Sequence, residues 1–329
     1  MSNVYQLFVL GELLTINETH ESELYWALRG AGGGLFVIVT EFKLQLVKSP
    51  SEVTIFQCRW NKNATKLVIQ QYQSLLFNDT GLNSNNNIYS VMDVRSNYVE
   101  IVMTNFGTGL EDFNRIVALF STTLPPPYQK NELTRDWLSF VNGNENHAQL
   151  LLENLTLSAD YFKGKHLFYD QPISDYSLDR FLERLALRDG GFAMEFTPWD
   201  GYLSTIPTDK TAFPYRRYKF GIQFMTFSGS QPLDSQQLHW LNQVYLAVYN
   251  DSTKHSYINY IDRDEPNWTN AYYDTHQQRL MDVKRMYDKN NRFYFERTIP
   301  SSGANQHKLF NVHLFIFLVF VFFIIQSNY

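Results

Sequence analysis

Residues 53–250 alternate between strand-like and helix-like runs, and that alternation limits the chain to few architectures. Strand-like runs cover 53–60, 87–94, 97–106, 166–170, 191–198 and 217–227. Helix-like runs cover 64–77, 109–121, 174–189 and 234–249. The run at 174–189 sets Leu178, Phe181, Leu182, Leu185 and Leu187 on one broad apolar face, with charges opposite. Strands and interleaved helices do not alternate strictly. The pattern predicts an α+β fold, an antiparallel sheet with helices on one face.

The flanks read differently. Val4–Leu10 and Glu12–Ile16 predict a pair of strands, and Glu21–Leu28 a short helix. Gly30, Ala31, Gly32, Gly33 and Gly34 follow, then the β-branched run Phe36-Val37-Ile38-Val39-Thr40, continuing to Val47. Ser49-Pro50-Ser51 breaks that run and places a boundary near residue 50. Residues 265–287 read as one last helix, with Pro266 in its first turn. The resulting segments are 1–48, 49–252, 253–300 and a tail from 301 to 329.

Composition excludes several functions. Aromatics make up 16% of the 329 residues, enough for a large core and against global disorder. Lys plus Arg number 28 against 33 Asp plus Glu, and no basic run exists, which argues against nucleic acid as a partner. The single cysteine, Cys58, excludes a disulfide framework, a thiolate zinc site and a dithiol redox pair. The eight His include no pair four residues apart with an intervening Glu, so no metal site is expected. No Gly-x-Ser-x-Gly elbow is present.

The tail points to a membrane. Leu314–Ile325 is an unbroken apolar run of 12 residues, short of the roughly 20 that span a bilayer. Ser301, Ser302, Gly303 and Ala304 precede a polar spacer, the layout of a lipid-anchor signal. A short membrane helix and a buried terminal element are the other readings. Six Asn-x-Ser/Thr sequons, at Asn17, Asn63, Asn78, Asn154, Asn250 and Asn267, lean toward a glycoprotein of the secretory pathway, at the cell surface.

Two segments carry a resemblance. The first is Leu24-Tyr25-Trp26-Ala27-Leu28-Arg29-Gly30-Ala31-Gly32-Gly33-Gly34-Leu35-Phe36-Val37-Ile38-Val39-Thr40-Glu41-Phe42. The second is Tyr257-Ile258-Asn259-Tyr260-Ile261-Asp262, then Trp268, Tyr272-Tyr273, Arg279-Leu280, Val283-Lys284, Tyr287-Asp288, Asn291 and Phe293. Together they resemble the end of the flavin domain and the C-terminal segment of berberine-bridge-enzyme-like FAD-linked oxidases, of the vanillyl-alcohol-oxidase fold. Phe162-Lys163-Gly164-Lys165 and Thr211-Ala212-Phe213-Pro214-Tyr215-Arg216 are similar to that family's substrate domain.

The resemblance implies a PCMH-type FAD-binding remnant at 1–48, a substrate domain at 49–252, and a segment at 253–300 that packs back on the flavin domain. It implies FAD as cofactor, an alcohol, sugar hemiacetal or oligosaccharide as substrate, and O2 as acceptor. Gly30, Gly32, Gly33, Gly34, Ile38, Val39 and Asn259 match the cofactor-binding stretch. A glycine run lets backbone N–H groups approach a ligand without a Cβ in the way. Gln223 matches the polar strand residue that faces substrate. Tyr260, then Tyr257, match a tyrosine that serves as base once a nearby cation lowers its pKa.

The sequence departs from the family at Gly221, where Lys is common, and at Leu35, Val37, Tyr215, Asp274 and Lys289. The family's main pyrophosphate loop and its flavin-attaching His and Cys lie upstream of the segment that begins at Val4, so either Met1 is expected to be internal to a longer natural chain or the gene is expected to be a decayed copy, inactive as this chain. A surface-displayed carbohydrate-binding module derived from such an oxidase is the alternative reading.

Overall fold

The computed structural model describes residues 4–7, 13–77, 87–107, 110–141, 161–188 and 190–301. The 301–329 tail, from Ser302 onward, and the sequons at Asn78 and Asn154 lie outside them, so the anchor expectation concerns residues that are not described. Among the described residues no helix is long and apolar enough to cross a membrane.

Period-two alternation builds the main sheet. Seven strands pair in the order β7-β4-β6-β5-β9-β10-β8, all antiparallel. They are β4 (Glu52–Asn61), β5 (Ile88–Val94), β6 (Tyr98–Asn105), β7 (Gln129–Asp136), β8 (Phe162–Tyr169), β9 (Phe192–Pro198) and β10 (Phe220–Phe227). One face of this sheet is apolar: Phe56, Cys58, Trp60, Ile101, Met103, Met194, Phe196, Ile222 and Phe224 are all buried. Four helices cover it, α2 (Thr65–Phe77), α3 (Glu111–Thr123), α5 (Asp175–Leu185) and α6 (Ser235–Val248). The short α4 (Trp137–Val141) follows β7.

Local chemistry sets the helix starts. Ser174 caps α5 by accepting from the Ser177 N–H at 3.3 Å. Asp234 and Gln237 form a reciprocal capping box on α6, at 2.7 and 3.2 Å. Cys58 sits in the core, where burial pushes its thiol up to about 11.

A second core joins the two ends of the chain. Strands β1 (Val4–Leu7), β2 (Leu13–Ile16) and β3 (Ile38–Phe42) pair antiparallel in the order β2-β1-β3. Helix α1 (Ser22–Ala27) buries Leu24, Tyr25, Trp26 and Ala27 beside Leu35, Phe36 and Val37. The same cluster takes Tyr272, Tyr273, Leu280, Val283 and Ile299 from the C-terminal segment. A small third cluster, Phe168, Phe213 and Tyr215, lies against Trp199, Tyr218 and Tyr257.

Three expectations need correction. The helix at 265–287 is two helices, α7 (Trp268–Tyr273) and α8 (Gln277–Tyr287), broken at Asp274. Asp274 has φ +43°, a left-handed value, and this is a position where the resembled family carries Gly. Pro266 precedes α7 instead of lying in its first turn. Strand β7 escaped the sequence reading because Gln129–Asp136 is an exposed edge strand with no apolar period.

One buried cation ties the second core together. The Lys284 side chain is 0% exposed. Its ammonium donates to the Leu35 carbonyl, the Phe293 carbonyl and the Asp288 carboxylate, each at 2.6 Å. Asp288 also accepts from the backbone N–H groups of Arg292 and Phe293, at 2.7 and 2.9 Å. Burial lowers the Lys284 pKa, and Asp288 offsets part of that. Lys284→Met is expected to cost about 3–5 kcal/mol, since it strands a buried carboxylate. Urea unfolding checks this, and the Lys284→Met, Asp288→Asn pair should cost less than the sum of the two single changes.

Candidate active site

The other face of the seven-stranded sheet carries the polar side chains. Strand register aligns Gln129, Arg59, Glu100, Asp93, Glu195, Gln223 and His166 as consecutive cross-strand partners. Cross-strand neighbours on one face stand about 5 Å apart at Cβ, so each touches the next. Seven strands thus supply one polar row to the face opposite the four covering helices.

The row is paired unevenly. Glu100 accepts from Arg59 Nε at 2.9 Å and from Gln57 at 2.8 Å. Arg59 also lies over the Tyr98 ring at 4.4 Å. Asp93 accepts from Arg95 at 3.1 Å through one oxygen, while its Oδ1 is buried with no hydrogen-bond partner. Glu195 accepts only a long 3.4 Å bond, from Thr197. Burial raises the Glu195 carboxyl and the Asp93 charge raises it further, while Thr197 and Arg95 offset part of this. The three carboxylates lie side by side but do not converge: among the described residues no group of three His, Cys, Asp or Glu could hold a metal ion.

His166 explains a departure in the sequence. A Cβ at Gly221 would stand 2.6 Å from His166 Nε2 and 3.1 Å from its Cε1. The imidazole therefore fills the space where the resembled family often has Lys. His166 is 4% exposed, and burial lowers its pKa to about 3, so the ring is neutral. Its Nδ1 accepts from the Tyr257 backbone N–H at 3.1 Å, which leaves the hydrogen on Nε2.

That bond seats the C-terminal motif on the sheet. Tyr257 opens a 3-10 turn, Ile258–Tyr260, beside β8. The Tyr260 ring centroid is 5.4 Å from His166 and 5.3 Å from Tyr257. Asn259 is held by a 2.7 Å bond to the Tyr257 hydroxyl. Trp199 and Phe213 wall Tyr257, at 5.2 and 5.7 Å. Downstream, Asp262 binds Lys163 with one oxygen and Lys165 with the other, the latter at 2.7 Å.

The Tyr260 phenol is shifted upward. Burial raises its phenol, and the Glu195 charge raises it further. The charges that act on it, of Glu195 and Tyr257, both raise it. The phenol stays protonated at neutral pH and is a hydrogen-bond donor.

The glycine run divides in two. Gly30, at φ +124°, would put a Cβ 2.5 Å from the Phe213 backbone N, and Gly32, at φ +94°, 2.9 Å from Ile258. Both are closed by this chain's own packing. Gly33 and Gly34 have nothing within 4 Å of an added Cβ, so their backbone is bare. Val37 is buried in the second core, Ile38 is exposed, and Val39 packs partly against that core.

Sequence reasoning brought Gln223, Tyr257, Asn259 and Tyr260 to one place in the structure, beside the sheet's open face. It missed Glu195, Asp93 and His166. Their signal was present: each is a polar residue at an open-face position of an otherwise apolar strand run.

Comparison with known proteins follows this geometry. Residues 256–300 match the family described as Berberine and berberine like, the stretch that carries Tyr257, Asn259, Tyr260 and Lys284. Proteins to which the chain is similar include berberine-bridge-enzyme-like ones. Monolignol oxidoreductase AtBBE-like 13 of Arabidopsis thaliana is 26% identical over 303 residues, covering 85% of this chain and 57% of that protein. The uncharacterized FAD-linked oxidoreductase YvdP of Bacillus subtilis is 26% identical over 300 residues, covering 89% and 64%. Among solved structures, Physcomitrella patens BBE-like 1 superposes at TM-score 0.81 with 23% identity, over 92% of this chain and 65% of that one. Berberine bridge enzyme from Eschscholzia californica superposes at 0.76 with 21% identity, over 91% and 65%. The fold is therefore the mixed α+β, PCMH-type one. The chain spans about three-fifths of the length of the curated relatives it matches.

Two outcomes follow. Gly221→Ala should cost about 1–3 kcal/mol, because the His166 ring must move. A double-mutant cycle with His166→Ala should recover part of that loss in urea unfolding. The second concerns acid. Burial by itself would raise the Asp262 carboxyl, but Lys165 and Lys163 outweigh it and hold it below the usual range. A depressed carboxyl contributes stability above its unfolded value, about 3.9, and loses it as pH falls through the folded value. Replacing Lys163 and Lys165 by Met should flatten the acid limb of a stability-versus-pH curve.

Proposed function

We propose that this chain is an FAD-linked oxidoreductase of the berberine-bridge-like kind, oxidising a hydroxyl-bearing carbon of an alcohol or sugar, with O2 as acceptor. The observation that carries the reading is the meeting of the Tyr257–Asn259–Tyr260 turn with the polar face of the sheet. The residues fit one side of a flavin. The bare backbone of Gly33 and Gly34, exposed Ile38, partly buried Val39 and the Asn259 amide would line it. Gly30 and Gly32 act instead by letting Phe213 and Ile258 close against the turn. When bound, FAD supplies a two-electron acceptor for hydride.

The chain's own residues then divide the remaining work. The Gln223 amide, on the central row, orients the substrate hydroxyl by hydrogen bonding, and amide chemistry gives it no basic role. Tyr260, protonated, donates to a substrate oxygen. Tyr257 positions Asn259. Trp199, Phe213 and Tyr257 form an aromatic wall that excludes water and stacks on a ring or sugar face. The apolar tail and the exposed sequons at Asn63, Asn250 and Asn267 support a secretory, membrane-attached location for this chemistry.

The test is direct. Chain purified with added FAD should be yellow, and a monolignol or a sugar from a defined panel should bleach the flavin's visible band without air. Admitting O2 should restore it. Tyr260→Phe should slow bleaching about 10-fold, the worth of one hydrogen bond. A protein that stays colourless with FAD, yet is retained on a glycan array, would instead be a binding module.

A further inference from the structure

We infer that Glu195 on β9 is the group that takes up the proton released when the substrate hydroxyl is oxidised. This rests on the flavin-linked reading above. Gln223, the residue at the strand position matched to substrate contact, cannot accept a proton at neutral pH. The groups around it are engaged or unsuited. Tyr260 is a protonated phenol. His166 gives its Nδ1 lone pair to the Tyr257 N–H and resists protonation in its buried setting. Glu100 is held by Arg59 and Gln57, and Asp93 by Arg95. Glu195 is the direct cross-strand partner of Gln223, on the same open face, with one long bond from Thr197. It lies close enough to Tyr260 and Tyr89 for its charge to raise both phenols. An oxygen resting on the Gln223 amide is therefore beside a carboxylate that forms no direct ion pair among the described residues, the nearby Arg95 bonding to Asp93 instead.

The step balances as follows. The substrate O–H and one C–H bond break. The O–H electron pair becomes the second carbon–oxygen bond of the carbonyl. The C–H pair leaves as hydride for oxidised FAD, and the proton goes to a Glu195 carboxylate oxygen, giving a neutral carboxyl. Burial and Asp93 raise this carboxyl by more than Thr197 and Arg95 lower it, which brings it nearer to the alcohol's own affinity for a proton and makes it a stronger base than an exposed glutamate. The charged and titrating groups that face it are Asp93, Arg95 and Tyr89 from β5 and the segment after it, Tyr260 from the turn, His166 two strands away, and Tyr72 through the sheet.

Two measurements test this. In FAD-loaded chain with coniferyl alcohol as probe, Glu195→Gln should slow flavin reduction about 100-fold or more and abolish the acid limb of its pH profile. Glu195→Asp should retain part of the rate. Carbon-13 NMR of Glu-labelled chain without flavin should show a carboxyl titrating above the ordinary value of about 4.3. That signal should vanish in Glu195→Gln and move to lower pH in Asp93→Asn. A Glu195→Gln rate within about threefold of wild type, with an unchanged pH profile, overturns the inference while the flavin reading stands. An ordinary Glu195 midpoint also overturns it. Failure of wild type to take up FAD would remove the flavin reading itself, and is seen before any variant is made.

Discussion

The buried ammonium of Lys284 is the contact on which the placement of the site depends. A lysine with no solvent can stay charged only if its donors are all met, and here three 2.6 Å bonds meet them. Those bonds join Leu35, at the end of the glycine run, to Asp288 and Phe293 in the C-terminal segment. Residues about 250 apart in sequence are thereby fixed in one cluster. Tyr272, Tyr273 and Val283 then pack on Phe36 and Val37, and the turn bearing Tyr257 and Tyr260 is delivered to the sheet edge.

At that edge a second chain of dependence begins. Ile258 fits under Gly32 and Phe213 under Gly30, because neither glycine has a Cβ to obstruct it. The Tyr257 backbone N–H then bonds His166, whose ring needs a glycine at 221. Buried there, the imidazole is neutral. The basic character of the site passes along the same strand row to Glu195.

Much of the fold was legible. The alternation at 53–60, 87–94, 97–106, 191–198 and 217–227 reappears as β4, β5, β6, β9 and β10 with small shifts at the ends, and the four long helices lie at the four helix-like runs, although α5 ends at Leu185 and leaves Leu187, expected on its apolar face, exposed. Strand β7 was not legible, since an exposed edge strand has no apolar period to betray it. The break at Asp274 was not legible either, because periodicity runs through it and the left-handed φ is imposed by packing. Of the site, the Tyr257–Asn259–Tyr260 motif and Gln223 were visible through their resemblance to a family. Glu195, Asp93 and His166 were not, since nothing in one dimension says that residues 93, 166, 195 and 223 are neighbours.

The sequence by itself determined the α+β class, the helix-covered and polar faces of the sheet, and the motif that relates the chain to berberine-bridge-like proteins. These follow from local periodicity and local residue identity, which a linear string contains. Strand order and register decided the rest. They alone set Glu195 opposite Gln223 and His166 beyond it, and they alone turned two of four glycines into packing contacts. The physical reason is that proton affinity depends on which charges and how much water lie within a few ångströms, and those neighbours come from strands far apart in the chain.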